Sequence, residues 1–105
     1  MTNKVIPLTT PDELKTLRRM SKLAESFPCL RDAHGVNPFD AKALDRWATS
    51  PISHGQRITA QFILWVWDRS TDWECGRFDL AEALQVWPPE HAQAFLNWTS
   101  DPWWP

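Results

Sequence analysis

Two cysteines (Cys29, Cys75) and three histidines (His34, His54, His91) are the residues of this chain best suited to covalent or metal chemistry. A metal centre draws such residues in close pairs, as in C-x-x-C or H-E-x-x-H, whereas here each ligand type stands alone. "PCLRDAH" (28–34) groups Cys29, Asp32 and His34: a thiol, an acid and a base. Catalytic Cys–His pairs come from distant positions that meet through the fold. A local cluster between Pro28 and Gly35 reads instead as a solvated connector. "SPISHGQ" sets Ser53 beside His54, but that serine is better placed to cap a helix. Three glycines leave no phosphate-cradling loop. The residues therefore predict no enzyme, no metal and no cofactor.

Tryptophan is the unusual residue. Eight of the 105 residues are Trp and none is Tyr. Each Trp buries roughly 150–250 Å² and carries an N–H that needs a partner when buried. Most are expected to pack the core. The exception is the end, "SDPWWP", where Pro102 and Pro105 bracket Trp103 and Trp104. Neighbours in an extended segment point to opposite faces, so the two rings cannot share one core. Trp dominates many protein interfaces. Trp103 and Trp104, joined by Trp87 at the "WPP" turn, are the expected partner-binding residues. Asp101 and Glu74 beside tryptophans also allow a cage for a cationic ligand.

Charge divides the chain. The net charge is −2. Residues 1–77 hold all eleven Lys and Arg against nine acids, a net of +2, and residues 78–105 hold four acids and no base, a net of −4. This balance disfavours nucleic acid as partner. No apolar run reaches the ~18 residues that cross a membrane, and "MTNKVIPLTT" lacks an apolar core of leader length. A cytoplasmic protein with reduced thiols is expected. Spacing alone does not decide whether Cys29 and Cys75 meet.

These side chains need helices to position them. Residues 1–9 read as extended or flexible. "TPDELK" opens a helix: Thr10 caps, Pro11 suits the first turn and Glu13 completes a capping box. Leu14, Leu17, Met20, Ser21, Ala24 and Phe27 form its apolar face, with Lys15, Arg18, Arg19 and Lys22 opposite. A connector follows, with one helical turn expected at Leu30–Ala33. Asn37 and Pro38 then start a second helix whose stripe is Phe39, Ala43, Leu44 and Trp47. Ser53 and Gln56 box the third, "HGQRITAQFILWVWDR", which is apolar on most sides and so central. "FILWVW" also suits a strand, but the cap and length favour helix. "STDWECGR" (70–77) is a loop. Asp79 caps a fourth helix with Leu80, Ala83 and Leu84 inward. Pro89 or Glu90 opens a fifth with Ala92, Phe95, Leu96 and Trp98 inward. The prediction is one all-α domain over 1–105, of about five short helices around a Trp-rich core, with a Trp/Pro tail at 99–105.

"FDLAEALQVWPPEHAQAFLNW" (78–98) resembles a helix-turn-helix DNA reader, which would put the second helix in the major groove. Glu90, His91, Gln93 and Asn97 would face the bases. The turn position often taken by Gly is Gln85, and no Lys or Arg follows residue 77 to hold phosphates. DNA binding through 79–98 is thus the alternative. The favoured expectation is a non-catalytic module that binds another protein as adaptor, complex subunit or small inhibitor of a larger machine. It is similar to anti-CRISPR proteins in size and class only, which suggests a bacterial or phage source. Its contact residues are Trp87, Trp103 and Trp104, with the basic face Lys15, Arg18, Arg19 and Lys22 as a second surface.

Overall fold

The computed structural model describes residues 10–105, so the expectation for 1–9 lies outside the described residues. Those residues form five α-helices and no strand: α1 (Pro11–Glu25), α2 (Ala41–Ala48), α3 (His54–Trp67), α4 (Leu80–Val86) and α5 (Pro89–Thr99). A 3-10 turn, Pro28–Leu30, follows α1. The turn expected at Leu30–Ala33 follows it directly, closed by Ala33 N–H donating to Leu30 O at 3.1 Å.

Local capping explains the starts. Both boxes form: Thr10 Oγ1 accepts from Glu13 N–H and Glu13 Oε1 accepts from Thr10 N–H, and Ser53 and Gln56 repeat the exchange. Asp79 caps α4 as expected. The second helix departs from expectation. Asp40, not Asn37, is its cap, accepting from Ala43 N–H at 3.1 Å. Phe39 is pinned in the core against Trp67, and Asp40 N–H donates to Gly35 O at 2.8 Å. The chain therefore closes a turn before it winds. Gly35 permits that turn: its φ is +85°, and a Cβ there would lie 2.4 Å from Leu44 N.

α3 is the central helix, with α1, α2, α4 and the 3-10 turn packed on it. Seven consecutive residues, Ile58–Leu64, are buried. A helix buried on every side has no polar face to place, which is why its pattern shows no stripe. Phe62 is ringed by Phe27, Phe78, Trp87, Phe95 and Trp98 at centroid distances of 5.2–6.2 Å. α1 joins this core from Leu17 onward, with Met20, Ser21, Leu23 and Ala24 buried; Leu14 is exposed, against expectation.

Several interior polar groups are tied to backbone. Asp45 accepts from the amides of Glu74 and Cys75 at 3.0 and 2.9 Å, and Gln61 donates to Cys75 O at 2.7 Å. Two side chains thereby hold the turn around Gly76, whose φ is +101°. Arg57 reaches Ala48 O and Ser50 O, covering the last carbonyls of α2.

The two last helices turn only part of the expected face inward: Ala83, Phe95 and Trp98 join the core, while Leu80, Leu84 and Leu96 do not. On α4 only Ala83 is buried; Leu80 and Leu84 are 42% and 56% exposed. On α5 the buried residues are His91, Ala94 and Trp98, while Leu96 is 53% exposed. A two-turn helix has too few residues for its pattern to set its phase, so the anchor beside it decides. For α4 that anchor is Trp87.

Candidate functional site

Trp87 is not a surface residue, which corrects its expected place in an interface. It is 7% exposed, stacks against Phe27 and Phe95, and donates its indole N–H to Thr59 Oγ1 at 2.8 Å. Thr59 in turn donates to Gly55 O at 2.7 Å. The donor that would favour an exposed edge has found a partner inside.

The candidate site lies instead where α5 runs out. Thr99 and Ser100 hydroxyls cap the last carbonyls of α5, donating to Leu96 O and Asn97 O. Asp101 N–H donates to Trp98 O, and Pro102 then ends helical bonding. The extended tail sends its two rings to opposite sides. Trp103 goes to α1, where the Arg19 guanidinium lies 4.1 Å from its centroid. Trp104 goes edge-on to Trp65 and Trp98, at 5.3 and 5.2 Å, with the Arg69 guanidinium 4.9 Å above it. Arginines of the chain itself thus lie over the Trp103 and Trp104 faces.

Each ring borders its own hollow. Beside Trp104 is an apolar one of about 450 Å³, walled by Trp65, Phe78, Leu80, Phe95, Trp98 and Trp104. Its size is that of a pocket for a large side chain or small ligand. Beside Trp103 is a more polar one of about 360 Å³, lined by Arg19, Lys22, Asn97 and Asp101 together with Leu23, Ala94 and Trp98. Trp98 lines both. Its indole nitrogen is buried without a hydrogen-bond partner among the described residues. Trp104 is 47% exposed, and Leu80 and Leu84, one turn apart on α4, extend the apolar surface. The two surfaces read separately from the sequence meet where Trp103 packs on Arg19 of α1. Along that helix Lys15, Arg18, Arg19 and Lys22 fall at i, i+3, i+4 and i+7.

The groups with covalent chemistry are elsewhere and poorly set for it. Cys29 does not stand with His34, which is exposed; its amide donates to His91 Nε2 at 3.2 Å. Burial pushes the Cys29 thiol up, and the His91 imidazole down. Both shifts favour the neutral forms, the reverse of a thiolate–imidazolium pair. Burial and the Asp45 carboxylate push Cys75 up to about 12. The two thiols are free. No cluster of His, Cys, Asp or Glu suited to a metal occurs among the described residues.

The residues offered for base reading are placed as follows. His91 is buried, Gln93 Nε2 donates to Asn97 Oδ1 at 2.9 Å, and Glu90 is exposed. No described helix is long and apolar enough to cross a membrane. No family model matches the chain, and neither a curated protein nor a solved structure matches it.

The Leu80 and Phe95 walls were missed in the sequence because both were read as inward-facing, and Phe78 was given no role there. Arg69 was missed because it lies 35 positions from the ring it covers, beyond any local pattern. Asp45 was legible: with Ala41, Leu44 and Ala48 it sits on the inward face of α2, where an acid needs partners.

Proposed function

We propose that the protein is a non-catalytic module that binds another protein through the surface built by the tail, α5 and α1. One observation carries this reading: a 450 Å³ hollow of aromatic and aliphatic side chains stands open at the surface beside a half-exposed Trp104. A chain able to bury its Trp87 so fully has no packing need to leave Trp104, Leu80, Leu84 and Leu96 in water. Exposed apolar clusters of this kind mark contact sites. The adaptor, complex-subunit and inhibitor roles all use such a surface.

The test is a tagged pull-down from the source cell's lysate, with and without nuclease, comparing the wild type with Trp104→Ala/Leu80→Asp. Both positions are exposed, so helix content by circular dichroism should be unchanged. A stoichiometric protein captured by the wild type, resistant to nuclease and lost in the variant, is the expected result. A captured set that vanishes on nuclease treatment, or survives in the variant, sinks the reading.

A further inference from the structure

We infer that the partner segment is acidic and carries a large apolar anchor, the anchor entering the Trp104 hollow and its carboxylates meeting the α1 cations. This rests on the module reading above and names the chemistry of the same site.

The charge on the surface is directional. Lys15, Arg18, Arg19 and Lys22 make a stripe along one face of α1, about 10 Å long at helical rise. None of the four forms an ion pair among the described residues, and neither does Arg69. The stripe ends at the polar hollow, whose lining holds Arg19 and Lys22 against one acid, Asp101. Trp98 lines both this hollow and the apolar one. Cations therefore approach the anchor pocket from the α1 side, and Arg69 stands over Trp104 on another.

Arg19 is the best-prepared group. Stacking on Trp103 orders its guanidinium and leaves the edge N–H groups free. An ordered guanidinium suits bidentate binding of a carboxylate. A segment with acids next to a Leu, Phe or Trp meets both halves of the surface at once. A nucleic acid does not: its charge is even and it offers no apolar anchor, while residues 78–105, which wall most of the apolar hollow, hold Asp79, Glu82, Glu90 and Asp101 and no Lys or Arg to meet phosphates.

The experiment is fluorescence anisotropy with three short labelled peptides. One has Trp and Leu anchors among Glu residues, one has Lys for each Glu, and one has Ser for each anchor. The Glu probe with anchors should bind at least about tenfold tighter than either control, and salt should weaken it. Lys15→Glu/Arg18→Glu/Lys22→Glu should reduce that binding at least about tenfold and transfer preference to the Lys probe. Trp104→Ala should weaken all anchored probes alike. Equal or tighter binding of the Lys probe overturns the acidic assignment and leaves the module standing. Displacement of the Glu probe by an oligothymidylate more readily than by unlabelled peptide overturns it in favour of nucleic acid. If every probe fails while the pull-down still yields its partner, only the acidic assignment falls; if both fail, the module falls too.

Discussion

The α2 side of the molecule and the α5 side solve the same problem in opposite ways. Around α2 most buried polar groups have been matched, Gln61 Oε1 excepted. Asp45 takes two amides, Gln61 Nε2 donates to the Cys75 carbonyl, and Arg57 covers the end of the helix. Around α5 and the tail the matching stops. Leu80, Leu84, Leu96 and Trp104 remain in water, and the Trp98 indole nitrogen is buried without a partner. The first side is closed in the free protein; the second has the chemistry of a surface that is closed by something else.

Breaking the closed side should have the largest effect. Asp45→Ala strands the amides of Glu74 and Cys75 and is expected to cost about 3 kcal/mol in urea unfolding. Asp45→Asn, which keeps one acceptor, should recover part of that. A loss below about 1 kcal/mol would mean the turn at residues 73–76 contributes little to closure.

Thr59→Val comes next. It keeps the shape and removes the acceptor of the Trp87 N–H, for an expected loss of about 1–2 kcal/mol. The emission of Trp87 should shift with it. An unchanged midpoint would show that Trp87 is held by ring packing alone.

The pH response sharpens the boundary between the two sides, because His91 sits on α5 yet bonds the segment after α1. Burial lowers its folded-state pKa below the ordinary ~6.5. Its contribution to stability is therefore complete above that value and is lost as pH falls through the lower folded value. Protonation also puts a hydrogen on Nε2, the atom that accepts from Cys29 N–H. The wild type should lose stability on going from pH 7 to pH 5, and His91→Gln should flatten that slope. A slope that survives the substitution assigns the effect to other groups.

The smallest effects belong to the open side. Leu84→Ser and Leu96→Ser should change stability by less than about 0.5 kcal/mol. A loss of 2 kcal/mol or more, which would be typical of a core leucine, would show these residues to be buried in the free protein and remove the contrast.

The starts of helices were well legible in the sequence because capping is a local exchange among four residues. Thr10–Glu13, Ser53–Gln56 and Asp79–Glu82 all act as read. Asn37–Pro38 failed because Phe39 is drawn into the core and the turn through Gly35 closes first. The tail was half legible. Adjacent rings after a proline had to diverge, and they do, but that Trp103 would meet Arg19 depended on where α1 lies. Trp87 was misplaced because its partner, Thr59, is 28 residues away.

By itself the amino-acid sequence determined an all-α protein, its central helix, most of its caps and its division into a basic part and an acidic end. Those properties follow from periodicity, short-range hydrogen bonds and composition, all of which act within a few residues. Only the tertiary structure decided which apolar residues are core and which are surface. The phase of a short helix such as α4 is set by its anchor, and whether a Trp is buried depends on an acceptor waiting for its N–H. Only the tertiary structure, too, joined the α1 cations to the tail tryptophans, since a contact between residues 19 and 103 is decided by packing and not by spacing.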